Sequence, residues 1–217
     1  MYRKTLIVTG GTVDLAFAAS YVKQQKFDYF IASDSGIRFF AETGRKPNEV
    51  LGDFDSADSI QLAKLREDPQ IVFHQYQPEK DAVDTELALQ LAMERGSSEI
   101  HILGGTGTRL DHVLGTIHML GFAMERKIPC YLIDAHNRIR LIQERTVLKK
   151  DTQYGHYISL LPFTTAVHGV TLTGFKYPLR DYTLEGFRTI GISNEITADE
   201  AVVEFQDGIL ILAETKD

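Results

Sequence analysis

Up to residue 134 the chain alternates short apolar runs rich in β-formers with stretches whose apolar residues recur at helical spacing. Nothing else in the sequence restricts the fold as strongly, because strands joined by crossover helices must lie parallel and need helices to cover their faces. The pattern predicts strands over 5–9, 29–32, 70–73, 99–103 and 130–133. Between them it predicts helices over 13–21, 35–43, 58–66, 84–95 and 109–126, with Leu87, Leu91, Ala88 and Ala92 sharing one helical face. The expected fold class is α/β, a three-layer domain with a mostly parallel sheet. In such sheets ligands gather beyond the carboxyl ends of the strands, so the loops following the strands are where chemistry belongs.

Beyond about Asn137 the texture changes. HYISLLPF, AVHGVTL, RTIGISNEI and AVVEFQDGILILA are short β-like segments separated by Gly, Pro and Asp turns. The expected division is 1–136 for the α/β domain and 137–217 for an all-β sandwich. Asp207-Gly208, between AVVEF and ILILA, reads as a hairpin with a type I′ turn. A net charge of −7 argues against a protein that wraps nucleic acid. No run approaches the roughly 18 apolar residues of a membrane span. The single cysteine, Cys130, lies in the apolar run IPCYLI, which suits burial and a reducing compartment. No membrane association and a cytoplasmic location are therefore expected.

Leu51-Gly-Asp-Phe-Asp-Ser56 is the most informative segment. It follows the short apolar step Val50-Leu51 and precedes a helix. In extended backbone, positions i and i+2 point the same way, so Asp53 and Asp55 face one side. Their mutual repulsion is relieved by a hard cation such as Mg²⁺, which takes oxygen ligands and keeps waters for substrate phosphates. The plainer alternative is that Asp55 or Ser56 caps the next helix; it leaves Asp53 unexplained. Glu79-Lys-Asp-Ala-Val-Asp-Thr-Glu86 forms a second acidic group, where Asp81 and Asp84 also suit N-cap and first-turn positions. If the loops share one sheet edge, Asp84 supplies a third oxygen ligand and Lys80 meets a phosphate as a mobile charge.

Leu103-Gly-Gly-Thr-Gly-Thr-Arg-Leu-Asp-His112 again falls between strand and helix. Its glycines allow close backbone approach, the helix start offers N–H groups to an anion, and Arg109 adds a forked donor. No Lys-Ser or Lys-Thr pair follows, so it is not a Walker loop. Gly10-Gly11-Thr12 and Ser33-Asp-Ser-Gly36 offer similar backbone donors. The seven histidines form no zinc set, and no Gly-x-Ser-x-Gly elbow is present.

In their order along the chain, Ser33-Asp-Ser-Gly36, Pro47-Asn48, Gly52-Asp-Phe-Asp-Ser56, Lys80-Asp81 with Asp84-Thr-Glu86, Gly104 to His112 and Gly191-Ile-Ser-Asn194 resemble the thiamine pyrophosphokinase family. The resemblance covers nearly the whole chain. It implies an α/β nucleotide-binding domain followed by a β-sandwich that binds thiamine and dimerises, in homodimers with sites between subunits. It implies Mg²⁺ held by Asp53, Asp55 and Asp84, with Arg109 and Asp111 positioning ATP. Gly10, Asp34, Gly36, Lys80, Thr85, Gly104, Gly105, Thr106 and Gly107 would complete the nucleotide site. Ser193 and Asn194 would bind the thiamine aminopyrimidine. Some relatives stack that ring on a tryptophan, which this chain lacks; Tyr177 or Phe187 would substitute.

The implied reaction is attack of the thiamine hydroxyl on the β-phosphorus of ATP, giving thiamine diphosphate and AMP. Positioning and electrostatics dominate such transfers, so a strong base is not required; Asp84 and Asp111 remain alternative proton acceptors. A pyrophosphokinase for another hydroxymethyl heterocycle, such as a pterin, would look alike in its nucleotide half. A regulatory module binding nucleotide or thiamine without turnover would have no use for the aspartates.

Overall fold

The computed structural model describes residues 2–53, 59–76 and 83–217, with backbone alone at 59–61. Two units emerge, Met1–Ala135 and His136–Asp217. The first runs β1 (Lys4–Val8), α1 (Leu15–Gln25), β2 (Tyr29–Ser33), α2 (Ile37–Thr43), β3 (Glu49–Gly52), α3 (Ser59–Arg66), β4 (Val72–Gln75), α4 (Asp84–Glu94), β5 (Glu99–Leu103), α5 (Leu110–Glu125) and β6 (Cys130–Ile133). Among the described residues these strands pair in parallel in the order β6-β5-β1-β2-β3-β4. The chain winds outward from β1 to β4, then returns to β5 on the other side of β1, which puts the topological switch point between β1 and β5.

Strand alternation assigns the two faces. Phe30 stacks edge-on against Phe40 of α2, and α2 also packs against α1 and α3. Its neighbour Tyr29 turns the other way, to Glu49 and the α4 side. On that face α4 packs on α5 and across β1, β2 and β3. Covered on both sides, the strands carry continuous apolar runs such as Leu6-Ile7-Val8, fully buried.

The structure departs from the sequence reading at β3, which was expected only as the step Val50-Leu51. Glu49 hides the strand in the pattern, yet its carboxylate is wholly buried. It is held by Arg95 Nε and Nη2 at 2.7 and 3.0 Å, by His74 Nε2 at 2.5 Å and by the Tyr29 hydroxyl. Burial alone would raise the Glu49 carboxyl, but hydrogen bonds from Arg95, Tyr29 and His74 outweigh it and hold the pKa at about 2. Smaller shifts have local causes. Asp14 caps α1 by accepting from Phe17 N at 2.9 Å, so the helix starts at Leu15 and not at 13. A turn built on Asp68 delays β4 to Val72. In α4 the buried set is Ala88, Leu89, Leu91 and Ala92, with Leu87 only partly covered.

The second unit contains β7 (Asn137–Ile142), β8 (Thr146–Lys149), β9 (Tyr157–Pro162), β10 (Ala166–Thr173), β11 (Leu179–Glu185), β12 (Asn194–Glu195), β13 (Glu200–Glu204) and β14 (Leu210–Thr215). Antiparallel pairing joins them as β12-β9-β14-β7 and β11-β10-β13-β8. Inward residues of both layers, among them Ile142, Leu160, Leu212, Val170, Leu184 and Val203, form one buried core, as in a β-sandwich.

The expected hairpin at Asp207-Gly208 is corrected here. β13 and β14 belong to opposite layers, so the chain crosses between sheets at this point. Gly208 has φ of 89°, but Asp207 is not in the left-handed region, and a type I′ turn needs both. Instead the Asp207 carboxylate accepts from His168 Nδ1 at 2.7 Å and from the His168 amide at 3.3 Å.

Candidate active site

A cleft of about 540 Å³ in the first unit opens at the carboxyl edge of the sheet. Every loop after a central strand contributes: Thr9 to Thr12 after β1, Ser33 and Asp34 at the end of β2, Asp53 after β3, and Gly104, Gly105 and Gly107 to Arg109 after β5. The N-terminal parts of α4 and α5 close it with Val83, Asp84, Thr85, His112 and Thr116. Its position at the switch point follows from strand order, since the loops after β1 and β5 diverge to opposite faces there.

Two glycines let those loops meet. A β-carbon on Gly11 would fall 2.0 Å from the Gly104 carbonyl oxygen, so only hydrogen fits. Gly104 has φ of 80° and would itself collide with the Thr9 carbonyl at 2.6 Å. Backbone therefore lies against backbone, leaving N–H groups available to an anion.

The acidic side is assembled by alternation. Glu49, Leu51 and Asp53 share one face of β3 and its extension. Glu49 meets Arg95 at the end of α4, and accordingly Asp53 comes to the cleft that the start of α4 also lines with Asp84. Asp84 does not cap α4: Val83 holds the cap position without a side-chain bond, and Asp84 stands in the first turn, where the helix dipole favours a carboxylate. Asp55, Lys80 and Asp81 lie outside the described residues. Among the described residues no three His, Cys, Asp or Glu side chains gather closely enough to hold an ion alone. Two carboxylates on one glycine-lined cleft nevertheless suit Mg²⁺, which commonly takes one or two carboxylates and completes its shell with waters and substrate phosphates.

Arg109 takes the N-cap position of α5 and is paired with Asp111, Nη2–Oδ2 at 2.6 Å and Nε–Oδ1 at 3.2 Å. Each strengthens the other's charge: the pair raises the guanidinium pKa and lowers that of the carboxyl. Arg109 lines the cleft, whereas Asp111 stands beside it. Asp34, in the left-handed region at φ 53°, also lines it. Gly10 allows this, since a β-carbon there would come within 2.7 Å of both Asp34 Oδ2 and Ser35 Oγ.

Of the other sequence candidates, Thr85, Gly105 and Gly107 line the cleft and Thr106 does not. Gly36 lines a neighbouring cleft of about 360 Å³ with Val13, Leu15 and Phe39. Sequence reasoning passed over Ser33 as a side chain, and also His112 and Thr116. The last two are one helical turn apart, with Thr116 Oγ1 donating to the His112 carbonyl at 2.8 Å, so spacing from Arg109 along α5 was the available signal.

In the second unit Ser193 has φ of 57°, and its amide donates to Ser159 Oγ at 3.0 Å. Asn194 is buried, and its side chain is taken up internally. Oδ1 accepts from the Tyr177 and Glu195 amides at 3.0 and 2.9 Å, while Nδ2 donates to the Tyr177 carbonyl at 2.8 Å. Asn194 thus fixes the segment carrying Tyr177. Tyr177 and Phe187 are both exposed, Phe187 at 94%.

A glycine-lined cleft at the switch point of a parallel sheet, flanked by carboxylates and arginine, marks a nucleotide-type α/β domain, here joined to a β-sandwich. Residues 21–132 match the family model of the thiamin pyrophosphokinase catalytic domain, and 145–210 that of the thiamin pyrophosphokinase vitamin B1 binding domain. Thiamine pyrophosphokinase of Bacillus subtilis (strain 168) is 36% identical over 188 residues, 87% of each chain. Crystal structures of thiamine pyrophosphokinases from Bacillus subtilis and Geobacillus thermodenitrificans superpose with TM-scores of 0.88 and 0.84, at 32% and 28% identity. They cover 99% of this chain and 100% and 98% of their own. The chain belongs to the thiamine pyrophosphokinase family.

Proposed function

We propose that the chain transfers the pyrophosphoryl group of ATP to the hydroxyl of thiamine, releasing AMP. The observation that carries this reading is the convergence of Asp53, Asp84, Arg109 and the two glycine loops on one cleft, in a member of this family. The backbone amides after β1 and β5 bind the phosphate chain, and Arg109 supports the charge that develops on it. Asp53 and Asp84, together with Asp55, would hold Mg²⁺, which would supply positive charge against the phosphates. Asp84 or Asp111 receives the hydroxyl proton.

Thiamine binds through the β-sandwich, where Ser193 and the Asn194-fixed segment offer polar groups and Tyr177 or Phe187 an exposed ring. The protein acts as a homodimer with sites between subunits. It works in the cytoplasm, consistent with a buried, unpaired Cys130 and with no helix among the described residues long and apolar enough to cross a membrane. The test is AMP production from Mg–ATP, with thiamine and a hydroxymethyl pterin offered in parallel. AMP with thiamine alone supports the assignment; AMP with the pterin alone, or with neither, refutes it.

A further inference from the structure

Ser33 ends β2 and is 1% exposed, yet its hydroxyl has no hydrogen-bond partner among the described residues. A buried hydroxyl without a partner is unfavourable, and an alanine there would fill nearly the same space without that cost. Strand alternation gives its direction. Tyr29 points to the α4 face through Glu49, Phe30 to the α2 face, and Ser33 therefore shares the side of Tyr29, the side on which the cleft is lined by Val83, Asp84 and Thr85. Ser33 itself lines the cleft. It pairs in register with Leu51, two residues short of Asp53 on the same face. From strand spacings the Cα atoms of Ser33 and Asp53 are about 8 Å apart, a gap that one phosphate oxygen or cation-bound water can bridge.

We propose that the Ser33 hydroxyl donates a hydrogen bond to a ligand oxygen in this cleft, carried by the triphosphate or by a water on its cation. This rests on the reading of the cleft as the Mg–ATP site. The hydroxyl is then a positioning group that is completed only on binding, and it orients the phosphate chain beside Asp53 and Asp84. It contributes little to the fold of the free protein.

The test compares wild type with Ser33→Ala and Ser33→Cys by thermal denaturation and titration, unliganded, with MgCl₂ alone, with ATP in EDTA, and with Mg–ATP. Unliganded Ser33→Ala is expected to melt at or above the wild-type temperature. Its Mg–ATP affinity should fall about 10-fold, the usual scale for a hydrogen bond to a charged group, with the KM for thiamine unchanged. Ser33→Cys, a weak donor of similar size, should lie between. A deficit already present with ATP in EDTA assigns the bond to phosphate; one that needs Mg²⁺ assigns it to a cation-bound water. Unaltered Mg–ATP affinity in Ser33→Ala, or a variant that melts several degrees lower or fails to fold, overturns the inference. Wild type that does not respond to Mg–ATP would instead overturn the reading of the cleft itself.

Discussion

Arg109 and Asp111, two residues apart at the mouth of α5, grip each other through two hydrogen bonds of 2.6 and 3.2 Å while both remain largely exposed. An exposed ion pair contributes at most about 1 kcal/mol to stability. Arg109→Ala is therefore expected to leave the melting temperature within a few degrees of wild type. The KM for ATP should rise roughly 10- to 100-fold, because a forked phosphate donor is lost. Steady-state kinetics beside a melting curve checks both halves, and an unchanged KM would remove Arg109 from the nucleotide site.

Asp53 lies one residue beyond β3 and is only partly buried, and asparagine matches its shape, so Asp53→Asn should fold normally. Turnover is expected to fall by at least about 10³-fold, the scale for losing charge stabilisation of a transferring group. Activity that survives at saturating Mg²⁺ would contradict the assignment of this carboxylate to the cation.

Glu49 gives a pH dependence of definite sign. Its folded pKa, about 2, lies below its ordinary value of 4.5, so its contribution to stability is present above pH 4.5. That contribution is lost as the pH falls from 4.5 towards 2. Glu49→Gln should destabilise the protein by about 2–3 kcal/mol at neutral pH. The gap from wild type should narrow below pH 4.5 and close only near pH 2. Denaturant melts across this range measure it, and a gap independent of pH would show that packing, not charge, accounts for the loss.

Gly11→Ala would drive a methyl group to within 2.0 Å of the Gly104 carbonyl. The neighbour is backbone and cannot rotate away, so a cost of about 1–3 kcal/mol is expected, together with a sharp fall in activity as the two loops part. Normal stability with normal kinetics would mean that the loops are not tightly seated.

Much of this was legible in the residues themselves. Parallel strands buried on both faces announce themselves as apolar runs such as Leu6-Ile7-Val8, and glycines after strands mark close backbone approach. β3 was obscured because Glu49 is charged yet buried, and only partners distant in sequence, Arg95, His74 and Tyr29, make that tolerable. The Asp207-Gly208 turn misled because a local preference says nothing about which layer each flanking strand joins. Ser33 went unnoticed as a side chain for a related reason: a serine at a strand end has no distinctive spacing, and its lack of a partner exists only in three dimensions.

The seam between Gly11 and Gly104 has an evolutionary corollary. With hydrogens alone separating the two main chains, neither position can accept a larger residue, and this part of the cleft floor is closed to gradual modification. Change in what the cleft accepts must therefore arise at its rim, in the starts of α4 and α5, where side chains still have room to vary.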